Sequence, residues 1–162
     1  MKFFRLLKIY YIKIIRSNGT PHGIALALAL GLFVGCFLPI GTQTLPVILL
    51  AIILRVDKLL AFIASWICNP YTVPFMYPLF CYTGSKVLGV GLTLSQIEKD
   101  VLKLSHSFSW SALKNLGFEL GASFFIGGFI YGVLIALIGY FITFYTITKY
   151  RKRKKHLRSA RL

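Results

Sequence analysis

The chain alternates between apolar stretches and short polar interruptions. Apolar residues run over 23–38, 47–54, 59–68, about 75–82 and 120–148. Between Gly23 and Cys81 the only charged residues are Arg55, Asp57 and Lys58. A chain of 162 residues cannot bury that much continuous apolar surface in a soluble core, whereas a bilayer can accept it.

Only one of these stretches is long enough to span a bilayer unaided. Residues 120–148 carry no formal charge and would form about 40 Å of helix, against a hydrocarbon core of about 30 Å. The first stretch, Gly23 to Leu38, would reach only about 24 Å. The pattern predicts an all-α membrane protein with short proline-broken or re-entrant helices and one long C-terminal transmembrane helix.

Two proline-marked interruptions divide the first half of the chain. We predict structural breaks at Pro39, Gly41, Pro46, Pro70 and Pro74. Irregular backbone at membrane depth is tolerated only where protein buries it or where it lines a wet cavity. Short interrupted segments at corresponding places in two halves are typical of a membrane binding site.

Both breaks carry neutral polar side chains, namely Thr42, Gln43 and Thr44 at the first and Asn69 and Thr72 at the second. If the two tips meet, they would form a hydrogen-bonding site for a small polar solute or a lipid-linked phosphate headgroup. The alternative is that these side chains only cap helices and satisfy freed backbone groups.

Basic residues are concentrated at the two ends of this chain, whose net charge is +15. Residues 1–16 and 149–161 contain many cations and no acid. We therefore predict an interfacial basic amphipathic helix over 1–16, a membrane domain over 17–148 and a cytoplasmic polybasic tail over 149–162. Anionic lipids are the expected partners of these flanks, and nucleic acid is the less favoured one.

The positive-inside rule places both termini in the cytoplasm. An even number of crossings follows, either two or four. In the preferred arrangement the first two segments form a re-entrant hairpin that dips in from the cytoplasm. Arg55 and Lys58 then stay inside, where they form either a solvated turn or a binding site for a phosphate headgroup.

Small residues recur at spacings that place them on one helix face. We predict helix-packing roles for six glycines: Gly31, Gly35, Gly121, Gly128, Gly132 and Gly139. Such stripes allow two helices to approach closely, within one chain or across a homo-oligomer.

Catalytic chemistry has no support in the pattern. The chain contains no phosphate-binding loop, no dinucleotide fingerprint and no Ser/His/Asp arrangement. His22, His106 and His156 lack partners at ligand spacing. We therefore expect no catalytic residue, no metal site, no cofactor and no enzymatic activity.

Two motifs carry a resemblance to a known family. They are Pro39-x-Gly41-x-Gln43-Thr44 and Trp66-Ile67-x-Asn69-Pro70-x-Thr72-x-Pro74, followed by Tyr77 and Gly84. Over about residues 15–95 the chain resembles an uncharacterised bacterial membrane family, a domain of unknown function whose members occur alone or joined to glycosyltransferase domains. Asp57 stands where that family tends to have Asn, and the basic tail beyond 149 is outside the motifs.

Two functions stay open at this point. The first is transport-type handling of a polar solute or lipid-linked headgroup at the broken-helix tips. The second, which the resemblance implies, is a non-catalytic anchor or scaffold for a membrane enzyme of the cell envelope.

Overall fold

A computed structural model describes residues 19–90 and 118–159, with side chains up to Arg153. Regular structure in these residues is entirely helical: α1 spans Pro21–Phe37, α2 Thr44–Ile53, α3 Lys58–Ser65, α4 Val73–Leu88 and α5 Phe118–Ser159. The predicted all-α class is confirmed for this part of the chain. The predicted interfacial helix over 1–16 lies outside the described residues.

Helix α5 is the long apolar element that the sequence predicts. Its segment Phe118–Arg153 is long and apolar enough to cross a membrane, and only 17% of its most apolar window is buried. The core helix of a soluble protein would be mostly buried instead. The backbone stays helical to Ser159, so the helix extends into the basic tail.

The beginning and end of α1 follow from local chemistry. Thr20 caps the helix, because its Oγ1 accepts a hydrogen bond from the Gly23 amide at 3.0 Å, and Pro21 occupies the first turn. The helix ends at Phe37 and Leu38 is extended. This ending is expected because the ring of Pro39 disfavours helical backbone at the residue before it.

A tight turn joins α2 to α3. Arg55 adopts a left-handed backbone with φ of 53°. Its amide bonds to the Ile52 carbonyl and the Val56 amide to the Ala51 carbonyl, at 3.1 and 3.0 Å, which is the Schellman pattern that usually ends in glycine. Asp57 then caps α3, its carboxylate accepting from the Leu60 amide at 3.0 Å. The two helices are therefore antiparallel neighbours.

We expect Asp57→Ala to destabilise the protein by about 1 kcal/mol, because the α3 cap loses its acceptor. Asp57→Asn keeps an acceptor at the same place and should unfold within a degree or two of the wild type. Thermal unfolding of the purified protein in detergent measures both. Equal losses for the two variants would mean that the charge of Asp57, rather than its cap, stabilises the turn.

Helices α1 and α3 run parallel and touch through backbone. A Cβ added at Gly31 would collide with the Ala61 carbonyl oxygen, and one at Gly35 with the Ser65 carbonyl oxygen. Both contacts follow the same order along the two helices. Only glycine permits so short a separation, as in close-packed membrane helices.

Helix α1 runs antiparallel to α5. A Cβ at Gly128 would lie 2.7 Å from the Cys36 carbonyl oxygen, and one at Gly132 3.2 Å from the Phe33 side chain. Gly139 faces Leu32 and Leu28 further along. At the other end of α1, His22 and the Tyr140 hydroxyl are 2.7 Å apart.

Gly121 differs from the other five glycines for which we predict a packing role. Among the described residues, a Cβ at this position would meet nothing within 4 Å. The reason is the length of α1, which ends at Phe37 with its ring against Phe125. The first turn of α5 therefore extends past the helix that its glycine face contacts.

Helices α4 and α5 also touch through backbone, a contact that the sequence pattern does not predict. A Cβ at Gly84 would collide with the Ser123 carbonyl oxygen, and one at Gly127 with the Phe80 carbonyl oxygen. Each helix thus supplies one glycine to the crossing. Gly84 lies inside α4 because the fourth apolar segment, predicted to end near Tyr82, continues as helix to Leu88.

Two of the predicted proline breaks are helix starts instead. Pro46 is the third residue of α2, and Pro74 lies in the first turn of α4. In a first turn the missing amide hydrogen of proline costs nothing, since that group has no intrahelical partner. The chain reverses instead at Pro39 with Gly41, whose φ is 92°. At Pro70 the helix is interrupted without a reversal, because α3 and α4 both run in the direction of α1.

Candidate binding site at the helix breaks

The two breaks converge on the N-terminal part of α5. One buried cluster gathers side chains that precede and follow both breaks: Cys36, Cys68, Val73, Tyr77, Phe80, Cys81, Leu120 and Phe124. Ile40 and Ile67, one in each break region, pack against it. Residues beside the two breaks thus share one cluster, which is made mainly of apolar side chains.

Tyr77 of α4 links the first break to this cluster. Its hydroxyl accepts a hydrogen bond from the Ile40 amide at 2.7 Å. Its ring lies 4.8 Å from that of Phe124, edge to face, and only 6% of the residue is exposed. Tyr77 follows the second family motif in the sequence. The apolar periodicity of the chain does not predict its hydrogen bond to the first break.

The second break satisfies its own polar groups. The Asn69 side-chain oxygen accepts from the amides of Tyr71 and Thr72 at 2.9 and 3.1 Å. The Thr72 hydroxyl accepts from the Asn69 amide at 2.9 Å and donates to the Ile67 carbonyl at 2.8 Å. Asn69 and Thr72 therefore behave as the capping alternative describes.

Two of the three polar residues at the first break are also accounted for locally. The Thr42 hydroxyl donates to the Pro39 carbonyl at 2.8 Å, which closes the turn. Thr44 is the first residue of α2 and is exposed. Neither side chain points to a ligand.

Gln43 is different. It is 3% exposed, and its side-chain oxygen Oε1 is buried without a hydrogen-bond partner among the described residues. It precedes α2 yet makes no capping bond to that helix. Burying an amide oxygen without a donor costs about 1–3 kcal/mol, so such atoms are rare in native proteins. Gln43 is thus the one candidate ligand-binding side chain among those that the sequence singled out at the breaks.

The predicted headgroup residues lie elsewhere. Arg55 and Lys58 are exposed at the α2–α3 turn, at the far end of α2 from Gln43. The ten residues of α2 separate the two places by about 15 Å of helix. The structure therefore does not bring the break residues and these cations into one site.

Among the residues that the structure describes, no group of three or more His, Cys, Asp or Glu side chains could hold a metal ion. Cys36, Cys68 and Cys81 are free and buried. His106 and the side chain of His156 fall outside the described part.

Over residues 19–90 and 118–159, short helices pack on one long apolar helix. This part of the chain is therefore a helical protein with one helix able to cross a membrane by its length and composition. The chain belongs to the bacterial family described as "Uncharacterized protein conserved in bacteria (DUF2062)", whose model matches residues 4–156. The match extends beyond the predicted 15–95 and includes the first part of the basic tail. No match was found among curated proteins or among solved structures.

Proposed function

We propose that this is a non-catalytic, multi-pass protein of the bacterial inner membrane that takes up a small polar solute at the first helix break, with Gln43 as its binding residue. The observation that carries the proposal is the buried, unpartnered Oε1 of Gln43. Every other polar side chain at the breaks is either bonded locally or exposed. Transport-type handling of that solute is the corresponding function.

Chemistry favours a solute over a phosphate headgroup at this place. An amide oxygen accepts hydrogen bonds, so it matches a hydroxyl, ammonium or amide donor. A phosphate group at neutral pH offers mainly acceptors. A lipid-linked phosphate would suit the cations at the α2–α3 turn better, but these lie away from Gln43.

The distribution of cations supports the proposed topology, with both termini in the cytoplasm. Because Gly31 of α1 lies against Ala61 of the parallel helix α3, Lys58, one turn earlier, lies at the level of Leu28. Leu28 in turn faces Gly139 of α5. The guanidinium of Arg151 donates to the Gly19 carbonyl at 2.8 Å near the start of α1. The basic turn and the basic part of α5 thus lie toward the same end, as a common cytoplasmic side requires.

Cysteine accessibility tests the proposal directly. Gln43→Cys would be made with Cys36, Cys68 and Cys81 replaced by Ser or Ala, and treated with membrane-impermeant thiol reagents in cells and in inverted vesicles. Ala51→Cys, at an equally buried position in the helix that follows Gln43, is the matched negative control, and Lys58→Cys the exposed positive control. We expect labelling of Gln43→Cys well above Ala51→Cys, and of Lys58→Cys only from the cytoplasmic side. Equal protection at 43 and 51 would refute a wet site at the break.

A second variant separates binding from folding. Gln43→Leu replaces the orphan acceptor by an apolar side chain of similar size, so its unfolding midpoint should stay level or rise by about 3 °C, reflecting roughly 1 kcal/mol. Solutes that raise the wild-type midpoint, screened from polyols, hexoses and alkylammonium ions, should no longer do so. The exposed neighbour variant Thr44→Val should behave like the wild type. Marked destabilisation by Gln43→Leu would show that the amide is structural.

The second break, whose polar side chains bond within their own turn, favours one other function, that of an anchor or scaffold for a cell-envelope enzyme. Asn69 and Thr72 use their polar atoms on their own turn. The α2–α3 hairpin exposes large apolar side chains, among them Leu49, Ile53 and Ile63, which a homo-oligomer or an enzyme partner could cover. Protection of both tips from thiol reagents, with a glycosyltransferase-type enzyme co-purifying in mild detergent, would favour this function.

A further inference from the structure

The C-terminal part of α5 carries a groove that the helix breaks do not use. It is a shallow, open groove of about 340 Å³, lined by Tyr145, Thr146, Lys149, Tyr150 and Arg153. Lining positions four apart recur along it, so the groove follows one face of the helix. It combines two cations with three hydroxyl groups, a set suited to an oxyanion.

The cationic side chains in this segment of α5 lie on two different faces of the helix. Lys149 and Arg153 line the groove, with the Lys149 ammonium 5.8 Å from the centre of the Tyr145 ring. Arg151 instead faces α1, where it bonds to the Gly19 carbonyl. The described acidic residues are elsewhere: Asp57 caps α3, and Glu119 lies in the first turn of α5, at its opposite end. The described residues therefore leave the positive charge of the groove without an acidic counterpart.

The same face continues into exposed apolar surface. Ile142 and Ile138, spaced so that they precede Tyr145 on this side of α5, are 61% and 59% exposed. Along the helix the face thus passes from aliphatic to aromatic to cationic side chains. A phospholipid has this order too, from acyl chain through the interface to phosphate.

The positive charge of the groove favours one of the three ligands that could bind there. The N-terminal segment over 1–16 is basic without any acid, so it would be repelled by Lys149 and Arg153. An anionic lipid is attracted by both cations, and each contributes about 1 kcal/mol near a membrane surface. Nucleic acid would use the cations but gain nothing from Ile138 and Ile142.

We propose that this groove binds one anionic phospholipid, with its phosphate held between Lys149 and Arg153 and an acyl chain along Ile142 and Ile138. The tyrosine hydroxyls donate further hydrogen bonds to the headgroup. The groove does not include Gln43, so this proposal can be correct or wrong independently of the proposed solute site.

Native mass spectrometry of the full chain in detergent tests the groove with phosphatidylglycerol and, for comparison, phosphatidylcholine. The double variant Lys149→Gln/Arg153→Gln should bind phosphatidylglycerol about thirtyfold more weakly, two contacts being lost. The control Lys152→Gln/Lys86→Gln removes the same charge from exposed positions outside the groove. We expect the control to bind within about threefold of the wild type, since it loses only long-range attraction.

Four results would overturn the proposal. The first is equal weakening in the control and the groove variant, which would indicate general attraction to a basic protein. The second is equal affinity for the two lipids. The third is full competition by soluble glycerol phosphate, which would leave the acyl chain no role. The fourth is tighter, groove-dependent binding of a short oligonucleotide. Unchanged unfolding midpoints of both variants without lipid confirm that folding is intact.

Discussion

Gly84→Ala is expected to destabilise the protein by about 3 kcal/mol, which lowers the unfolding midpoint by about 10 °C. The added methyl group would collide with the Ser123 carbonyl oxygen. That oxygen belongs to helical backbone, so relief requires the whole of α4 to move away from α5. Gly127→Ala meets the Phe80 carbonyl oxygen and should have an effect of similar size. Thermal unfolding in detergent, followed by size-exclusion chromatography, measures both.

Gly121→Ala is the matched control in the same helix. It meets no neighbour within 4 Å among the described residues, and replacing a helical glycine removes a cost of about 0.5–1 kcal/mol. We therefore expect an unchanged or slightly raised midpoint. The double variant Gly84→Ala/Gly127→Ala should lose less than the sum of the single losses, because both glycines serve one crossing. If Gly84→Ala unfolds like Gly121→Ala, the α4–α5 contact is looser than described.

Tyr77→Phe is expected to destabilise by about 1–3 kcal/mol, because the part-buried Ile40 amide loses its acceptor while the ring stays in place. The local consequence is more specific than the global one. Amide hydrogen exchange over residues 38–43 should accelerate, whereas exchange in the middle of α5 should not.

Tyr131→Phe provides the comparison for this loss. Its hydroxyl lies 3.1 Å from the Thr83 hydroxyl, and a helical Thr can turn its hydroxyl to its own backbone instead. The loss should stay below about 1 kcal/mol, with exchange at the first break unaffected. Faster exchange over 38–43 in both variants would mean that general loosening, rather than the Ile40 bond, controls the break.

Local chemistry decided which parts of the fold were predictable. The start of α1 follows from Thr20 and Pro21, whose roles depend on their own neighbours. The reversal near Pro39 and the interruption near Pro70 follow from local chemistry for the same reason. The end of α4 was placed too early because Thr83, Gly84 and Ser85 interrupt the apolar pattern. In the structure Gly84 is buried against α5 and the Ser85 hydroxyl bonds back to the Tyr82 carbonyl at 2.8 Å, so tertiary packing carries the helix onward.

In the candidate site, too, some features follow from local sequence and others depend on tertiary packing. Asn69-Pro70 with Thr72 is a sequence that starts turns, and that local signal could have shown that its side chains bond to their own backbone. Thr42 and Gln43 look equivalent in sequence, yet one closes a turn and the other is buried without a partner. That difference depends on which helices cover the position, which no pattern in the chain encodes. The role of Tyr77 likewise depends on where α4 crosses the first break.

The shortness of the α2–α3 hairpin has a consequence for the surrounding bilayer. With ten and eight residues, the two helices stand only about 15 and 12 Å tall, roughly half the thickness of a hydrocarbon core. In the proposed insertion, the bilayer beside the hairpin would have to become thinner to match the short apolar height of these two helices. Such hydrophobic mismatch would draw the protein toward thin membrane and make its behaviour depend on acyl-chain length. Reconstitution in lipids of graded chain length would then separate a thickness effect from every effect of headgroup charge.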